Sequence, residues 1–256
     1  MSNRDYMEAV VEVARAAGDA ALAFYGTDIA IDSKADGSPV TAADRSAEQL
    51  ARSWITSRFP SDGIVGEEFG IEGSDRSRRW IIDPIDGTKS FVRGVPLWGT
   101  LVAVVEADTV LAGAAYFPAL GEIVFAGAGE GCWWNGKRCT VSTISDLSEA
   151  ALLTSAPFDD EPWNNLTRRV PIVRTWGDCY GYLLVATGRA EVMVDPALSS
   201  WDIAAFIPVI TEAGGVITDW LGKSPVNGGS AIATNAALAR NVRQILEVPG
   251  TWEETR

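Results

Sequence analysis

The chain has no histidine in its 256 residues. That absence removes Ser-His-Asp triads, imidazole general bases and His-ligated zinc or iron, so any chemistry here falls to oxygen ligands. Cysteine is scarce as well. Cys132, Cys139 and Cys179 are odd in number and form no CxxC pair, which argues against a disulfide framework or thiolate zinc site and fits core thiols in a reducing compartment. No apolar run approaches the roughly 20 residues needed to span a bilayer. The N-terminal stretch MSNRDYMEAVVEVARAAGDAALAFYG carries acids throughout, unlike a signal peptide, and the expected location is the cytoplasm. Positive charge is also short. The 21 Lys and Arg against 34 Asp and Glu leave a net charge of −13, with no basic surface for nucleic acid. An anionic substrate would need cations to bridge it.

What is present is a well-provisioned globular chain, 47% hydrophobic and 21% charged, enough for one large domain or two closely packed ones. Apolar spacing predicts a helix over 3–25 and another over 41–59, the latter with Leu50, Trp54, Ile55 and Phe59 as its stripe and Pro60 as its stop. Strands are predicted in GIVGEE, RRWIIDP, WGTLVAVVEA, TVLAGAAYFPA and GEIVFAGAG. After about residue 142 the pattern changes. Strand-like ALLTSA, PIVRTW and EVMVDP alternate with helical CYGYLLVATGR, WDIAAFIPVITEAGG and AALARNVRQILEV, which reads as α/β layering. The sequence thus divides into an antiparallel-rich α+β half over 1–142 and an α/β half over 143–256.

Chemistry gathers in WIIDPIDGTKSFVRGVP, residues 80–96. The apolar run Trp80-Ile81-Ile82 ends at Asp-Pro, a buried strand entering a turn, so Asp83 and Asp86 emerge together at a strand end. An Asx turn, each carboxylate bonding its own backbone, explains a generic DPxDG equally well. Glu67 and Glu68 in IVGEEFG repel each other unless a cation intervenes, although a solvated turn also accommodates them. Asp202 complements the dipole of the helix it opens, and Thr41 to Asp44 fits a capping box. Taken together, Glu67, Asp83, Asp86 and Asp202 are four carboxylates at element ends. Hard divalent cations take such oxygens, with the Ile85 carbonyl as one more, and a cation pair can clamp a phosphoryl group. Backbone N–H groups in Gly87-Thr88-Lys89 can cradle phosphate oxygens.

These residues also carry a likeness. DPIDGT at 83–88, GEE at 66–68 and WDIAA…EAGG at 201–215 resemble the three signature segments of the inositol monophosphatase family, and the likeness runs through nearly the whole chain in order and spacing. The resemblance implies a five-layered αβαβα sandwich, usually homodimeric. It implies two or three Mg²⁺ ions, with Mn²⁺ as a substitute, a small-molecule phosphate monoester as substrate, and hydrolysis by metal-activated water with no phosphoenzyme. Residue by residue it implies Glu67, Asp83, Asp86, Asp202 and the Ile85 carbonyl as metal ligands, and Asp86, Gly87 and Thr88 around the phosphate. The catalytic set would be Glu67, Thr88 and Asp44 of PVTAAD, the last two orienting the attacking water. Lys34 matches a lysine that helps order a third metal.

Substrate preference points to RTWGDCYGYLLVATGRAEVMVDP, residues 174–196. Inositol-cleaving members carry small or hydroxylated residues after the glycine that matches Gly177, whereas Asp178 stands here. A carboxylate beside a phosphate site favours a leaving alcohol that bears an ammonium group. The segment GDxxxY, with Asp178 and Tyr182, resembles the histidinol-phosphate phosphatase branch. Asp195 occupies a position where members carry a substrate-contacting glutamate, and Arg174 is a candidate substrate or dimer contact, a solvated surface residue or, four residues upstream, the internal ion-pair partner of Asp178. Two alternatives stand beside a histidinol-phosphate phosphatase. One is an inositol 1-phosphate or broad sugar-phosphate phosphatase. The other is a non-catalytic metal- or phosphate-binding module, although no ligand position is missing.

Overall fold

Ser2 starts α1 (Asn3–Leu22) with a capping box shared with Asp5. The structure, a computed structural model, describes residues 1–28, 30–33, 39–227 and 229–249; Lys34 lies outside the described residues. Helix α1 stops short of residue 25 because its end tightens into i→i+3 bonds from Phe24 to Ala21 and from Tyr25 to Leu22. A two-stranded ribbon of β1 (Ile31–Ser33) and β2 (Pro39–Thr41) leads into α2 (Ala42–Arg58). The buried face of α2 is Ala43, Asp44, Ala47, Glu48, Ala51 and Ile55, and Leu50 is exposed. The predicted stripe erred there because α1 also presents small residues, Ala9, Ala14, Ala17 and Ala21. Packed small side chains let the two helices approach closely, which leaves the bulky Leu50 to the outside.

The first sheet is built from β3 (Gly63–Gly66), β4 (Gly70–Glu72), β5 (Arg78–Asp86), β6 (Gly99–Glu106), β7 (Thr109–Phe117), β8 (Glu122–Gly127), β9 (Gly131–Trp134) and β10 (Lys137–Arg138), with the short helix α3 (Thr88–Phe91) after β5. Its order is β10-β9-β8-β7-β6-β5-β3-β4, antiparallel throughout except for the parallel β3–β5 pair. The second sheet joins β11 (Ala151–Leu153), β12 (Ile172–Arg174), β13 (Val192–Leu198), β14 (Val216–Thr218) and β15 (Gly229–Thr234) in the order β12-β11-β13-β15-β14. Only β11, β12 and β13 run parallel; β15 pairs antiparallel with β13 and β14. The last two strands escape sequence patterning because VIT of β14 is only three residues long and GSAIAT of β15 is nearly all small residues.

The remaining helices are α4 (Glu161–Thr167), α5 (Asp178–Ala186), α6 (Ser200–Ile203), α7 (Phe206–Glu212) and α8 (Ala239–Ile245). The single helix predicted over WDIAAFIPVITEAGG is split into α6 and α7, since Pro208 has no N–H to return to the Ala204 carbonyl. Five layers result, an αβαβα sandwich. Helices α1 and α2 cover the outer face of the eight-stranded sheet, α5, α6 and α7 fill the space between the sheets, and α4 and α8 cover the far face of the five-stranded sheet. The central core takes residues from both sheets, Leu101 and Val124 with Met193 and Ala233 among them. Among the described residues, no helix is long and apolar enough to cross a membrane.

Candidate active site

Strand alternation sends residues 83 and 86 to opposite faces, since side chains alternate with period two. The structure puts them on the same side. Asp83 pairs with Leu101 and Asp86 with Gly99, so β5 holds one more residue than β6 between these pairs. This bulge at Pro84-Ile85 shifts the phase by one residue. The Asp83 Oδ1 accepts the Ile85 N–H at 3.0 Å, so the Asx turn is real and coexists with the shared orientation. Asp202 arrives from the opposite layer as the third residue of α6, where its Oδ2 accepts the Ser199 N–H at 2.7 Å. Carboxylate oxygens of Asp83, Asp86 and Asp202 lie within 4.8 Å of one another.

Such crowding raises the proton affinity of the cluster. Burial pushes Asp83 well up, reinforced by the charges of Glu67, Asp86 and Asp202. Asp86 is raised for the same first reason, with Asp178 and Asp202 as its repelling neighbours. Asp202 is pushed up to about 6 by burial and by Glu67, against the Ser199 hydrogen bond. Asp178 is also raised to about 6, by burial and by Asp195, with Lys89 opposing. All these donors are oxygens, and Lys89 is the cation of the chain that opposes the repulsion at Asp178. The set therefore fits a hard divalent cation.

The repulsion also fixes a pH dependence. Asp178 and Asp202 titrate near 3.9 in an unfolded chain, so between about pH 4 and 6 the native state binds more protons than the unfolded one. Native stability therefore falls as pH rises through that window. In EDTA the protein is expected to melt higher at pH 5 than at pH 7, by a few kcal/mol of stability, and a divalent cation at pH 7 should restore the difference. A melting temperature that drops on acidification from 7 to 5 would refute the account.

Asp44 fills the same helix position in α2 that Asp202 fills in α6. Its Oδ2 accepts both the N–H and the hydroxyl of Thr41 at 2.7 Å, while its buried Oδ1 has no partner among the described residues. Burial raises this acid too, with Glu67 contributing. Thr88 donates its hydroxyl to the Ile85 carbonyl at 3.0 Å, so the two are not bonded to each other in this structure. Gly87 precedes Thr88 with φ +84, and a side chain there would also press on the Leu97 carbonyl at 2.9 Å. The carboxylate of Asp178 lies over the same glycine, its Oδ2 3.3 Å from the position a Cβ would occupy.

Two predicted contacts look different in three dimensions. Asp195 is 2% exposed, and its oxygens are taken by the Ser155 N–H and the Tyr182 hydroxyl, each at 2.8 Å. Arg174 is exposed at the edge strand β12, donates to the Val173 carbonyl and sits 6.0 Å over the Trp176 ring. Among the described residues no ion pair joins it to Asp178.

Sequence reasoning passed over Glu48. This buried acid accepts the N–H groups of Glu68 and Phe69 at 2.7 and 3.2 Å and the Arg52 Nε at 2.7 Å, and so shapes the turn that carries Glu67. Its signal was available: Asp44 and Glu48 lie one helical turn apart on an alanine face. Ser155 and the Cys179 N–H, which donates to Asp86 Oδ2, gave no such signal.

The model of the inositol monophosphatase family matches residues 2–248. The histidinol-phosphatase of Chlorobaculum parvum is 43% identical, covering 92% of this chain and 94% of its own length, and that of Mycobacterium tuberculosis is 39% identical over 93% and 96%. The inositol-1-monophosphatase of Caulobacter vibrioides is 33% identical over 90% and 96%. Among solved structures, an inositol monophosphatase from Zymomonas mobilis superposes with a TM-score of 0.86 at 31% identity, over 97% of this chain and all of the other. Extents, layers and the clustered acids agree, and the chain belongs to the inositol monophosphatase family, in its histidinol-phosphatase branch.

Proposed function

We propose that this phosphomonoester hydrolase uses Mg²⁺ to cleave L-histidinol phosphate into L-histidinol and phosphate, a step of histidine synthesis. The observation that carries the choice of ester is the Asp178 carboxylate lying over Gly87, beside the acid cluster. An ammonium group on the leaving alcohol would meet it in a charge-assisted hydrogen bond that a sugar hydroxyl forms less strongly. The histidinol-phosphatase relatives support the same choice, and the inositol-1-monophosphatase relative keeps inositol 1-phosphate as the second reading.

Glu67, Asp83, Asp86, Asp202 and the Ile85 carbonyl would hold the metal, with Mn²⁺ a possible substitute. When bound it supplies Lewis acidity, lowering the pKa of water and offsetting charge on the phosphate and the departing alkoxide. The chain's own groups do the rest. Backbone N–H groups of Gly87 and Thr88 receive phosphate oxygens. Asp44 Oδ1, buried and without a partner among the described residues, accepts a hydrogen bond from the attacking water or from the Thr88 hydroxyl and so orients the nucleophile for in-line attack. Asp178 fixes the amine end, which sets the ester bond along that line. A homodimer, which rests on the family resemblance, and a cytoplasmic location, which rests on the sequence composition, complete the proposal.

The test is phosphate release from L-histidinol phosphate and from inositol 1-phosphate, with Mg²⁺ and with EDTA. Histidinol phosphate is expected to win in kcat/KM by about 10²-fold or more, and EDTA to stop both reactions. Comparable rates on the two esters would overturn the substrate choice; activity in EDTA would overturn the metal assignment.

A further inference from the structure

We propose that Ser155, Asp195 and Tyr182 form a positioning network that holds the substrate-selecting carboxylate of Asp178, and that Asp195 acts through Ser155 without touching the substrate. The inference rests on the reading of Asp178 as the ammonium partner. Asp178 is the first residue of α5 and has φ +48, a left-handed backbone that a non-glycine residue keeps only under restraint. The restraint is visible. The Asp178 N–H donates to Ser155 Oγ at 2.8 Å, the Ser155 N–H donates to Asp195 Oδ1 at 2.8 Å, and Asp195 Oδ2 accepts the Tyr182 hydroxyl at 2.8 Å. Tyr182 lies one turn along α5 from Asp178, so the hydrogen bonds form a closed ring that leaves the helix, crosses to the ends of β11 and β13, and returns to the helix.

Packing reinforces the ring. A Cβ at Gly177 would stand 2.2 Å from the Ser155 Cα, so α5 begins hard against the loop after β11. On its other side the helix start is tied to the site by the Cys179 N–H on Asp86 Oδ2. Asp195 and Tyr182 are 2% and 1% exposed. A carboxylate so enclosed, with a donor on each oxygen, presents little surface to a substrate but stiffens the groups that do face it.

Steady-state kinetics on Ser155→Ala, Tyr182→Phe and the double variant, with L-histidinol phosphate and 4-nitrophenyl phosphate, test this. Each single change is expected to raise KM for histidinol phosphate roughly tenfold with kcat within about threefold, and to leave 4-nitrophenyl phosphate nearly unaffected. The double variant should be no worse than the weaker single one, since both break one ring. Calorimetric binding of L-histidinol should weaken in parallel, and Ser155→Thr, which keeps the hydroxyl, should bind as the unaltered protein does. Intact preference for histidinol phosphate in Ser155→Ala, additive effects, or equal loss on both esters would overturn the network. Absence of that preference in the unaltered enzyme would instead refute the reading of Asp178, and the network proposal with it.

Discussion

Asp83→Asn is expected to lower phosphate release by about 10³-fold or more while raising the melting temperature of the metal-free protein. The two effects share one cause. Asp83 is 2% exposed and is repelled by Glu67, Asp86 and Asp202, so its charge is destabilising until a cation neutralises it. Asparagine keeps an oxygen for the Ile85 N–H, which preserves the bulge and the direction of Asp86. It removes the charge and one hard ligand. Melting curves in EDTA and with Mg²⁺ separate the consequences: the variant should start higher and gain less from the metal. Retained turnover would remove Asp83 from the metal site, whereas a variant that melts lower in EDTA would show that the acid is held by internal hydrogen bonding and not strained by repulsion.

Asp178→Asn is expected to cut kcat/KM for L-histidinol phosphate by about 10²-fold and to change that for a neutral ester by less than about threefold. Asparagine is the informative substitution. It tolerates the left-handed backbone at φ +48 better than alanine does, so the start of α5 and its bond to Ser155 survive. What is lost is the negative charge that an ammonium group would meet. Equal losses on both esters would mean that Asp178 shapes the phosphate site through Asp86, which it repels, and does not select the alcohol. A selective loss ties preference to that single carboxylate.

The acids at element ends were legible from their chemistry, but not the reason they meet. DPIDGT announces two carboxylates and a turn; only the extra residue in β5 against β6 puts both on one side of the sheet. Asp44 satisfied a capping explanation and Asp202 a helix-dipole one; both acids do cap in the structure, each through Oδ2. The local role and the proposed site role share a side chain, so sequence could not choose between them. Leu50 misled because helix periodicity marks apolar residues and overlooks an alanine face on which two acids are buried. Ser155 had no local signature, since its importance comes from the ends of two strands and a helix meeting at one hydroxyl and one N–H. The strands 216–218 and 229–234 were invisible for a related reason: VIT is too short to show a period, and the small residues of GSAIAT have none of their own.

Asp83 and Asp86 belong to a sheet strand, while Asp202 belongs to a helix that packs on that strand from far along the chain. A cation gripped by all three would close a long loop much as a buried cross-link does, without covalent chemistry. The native chain would then be harder to prise apart in a metal-rich cell than in a metal-poor one. Ion supply would set how long each molecule lasts as well as how fast it works.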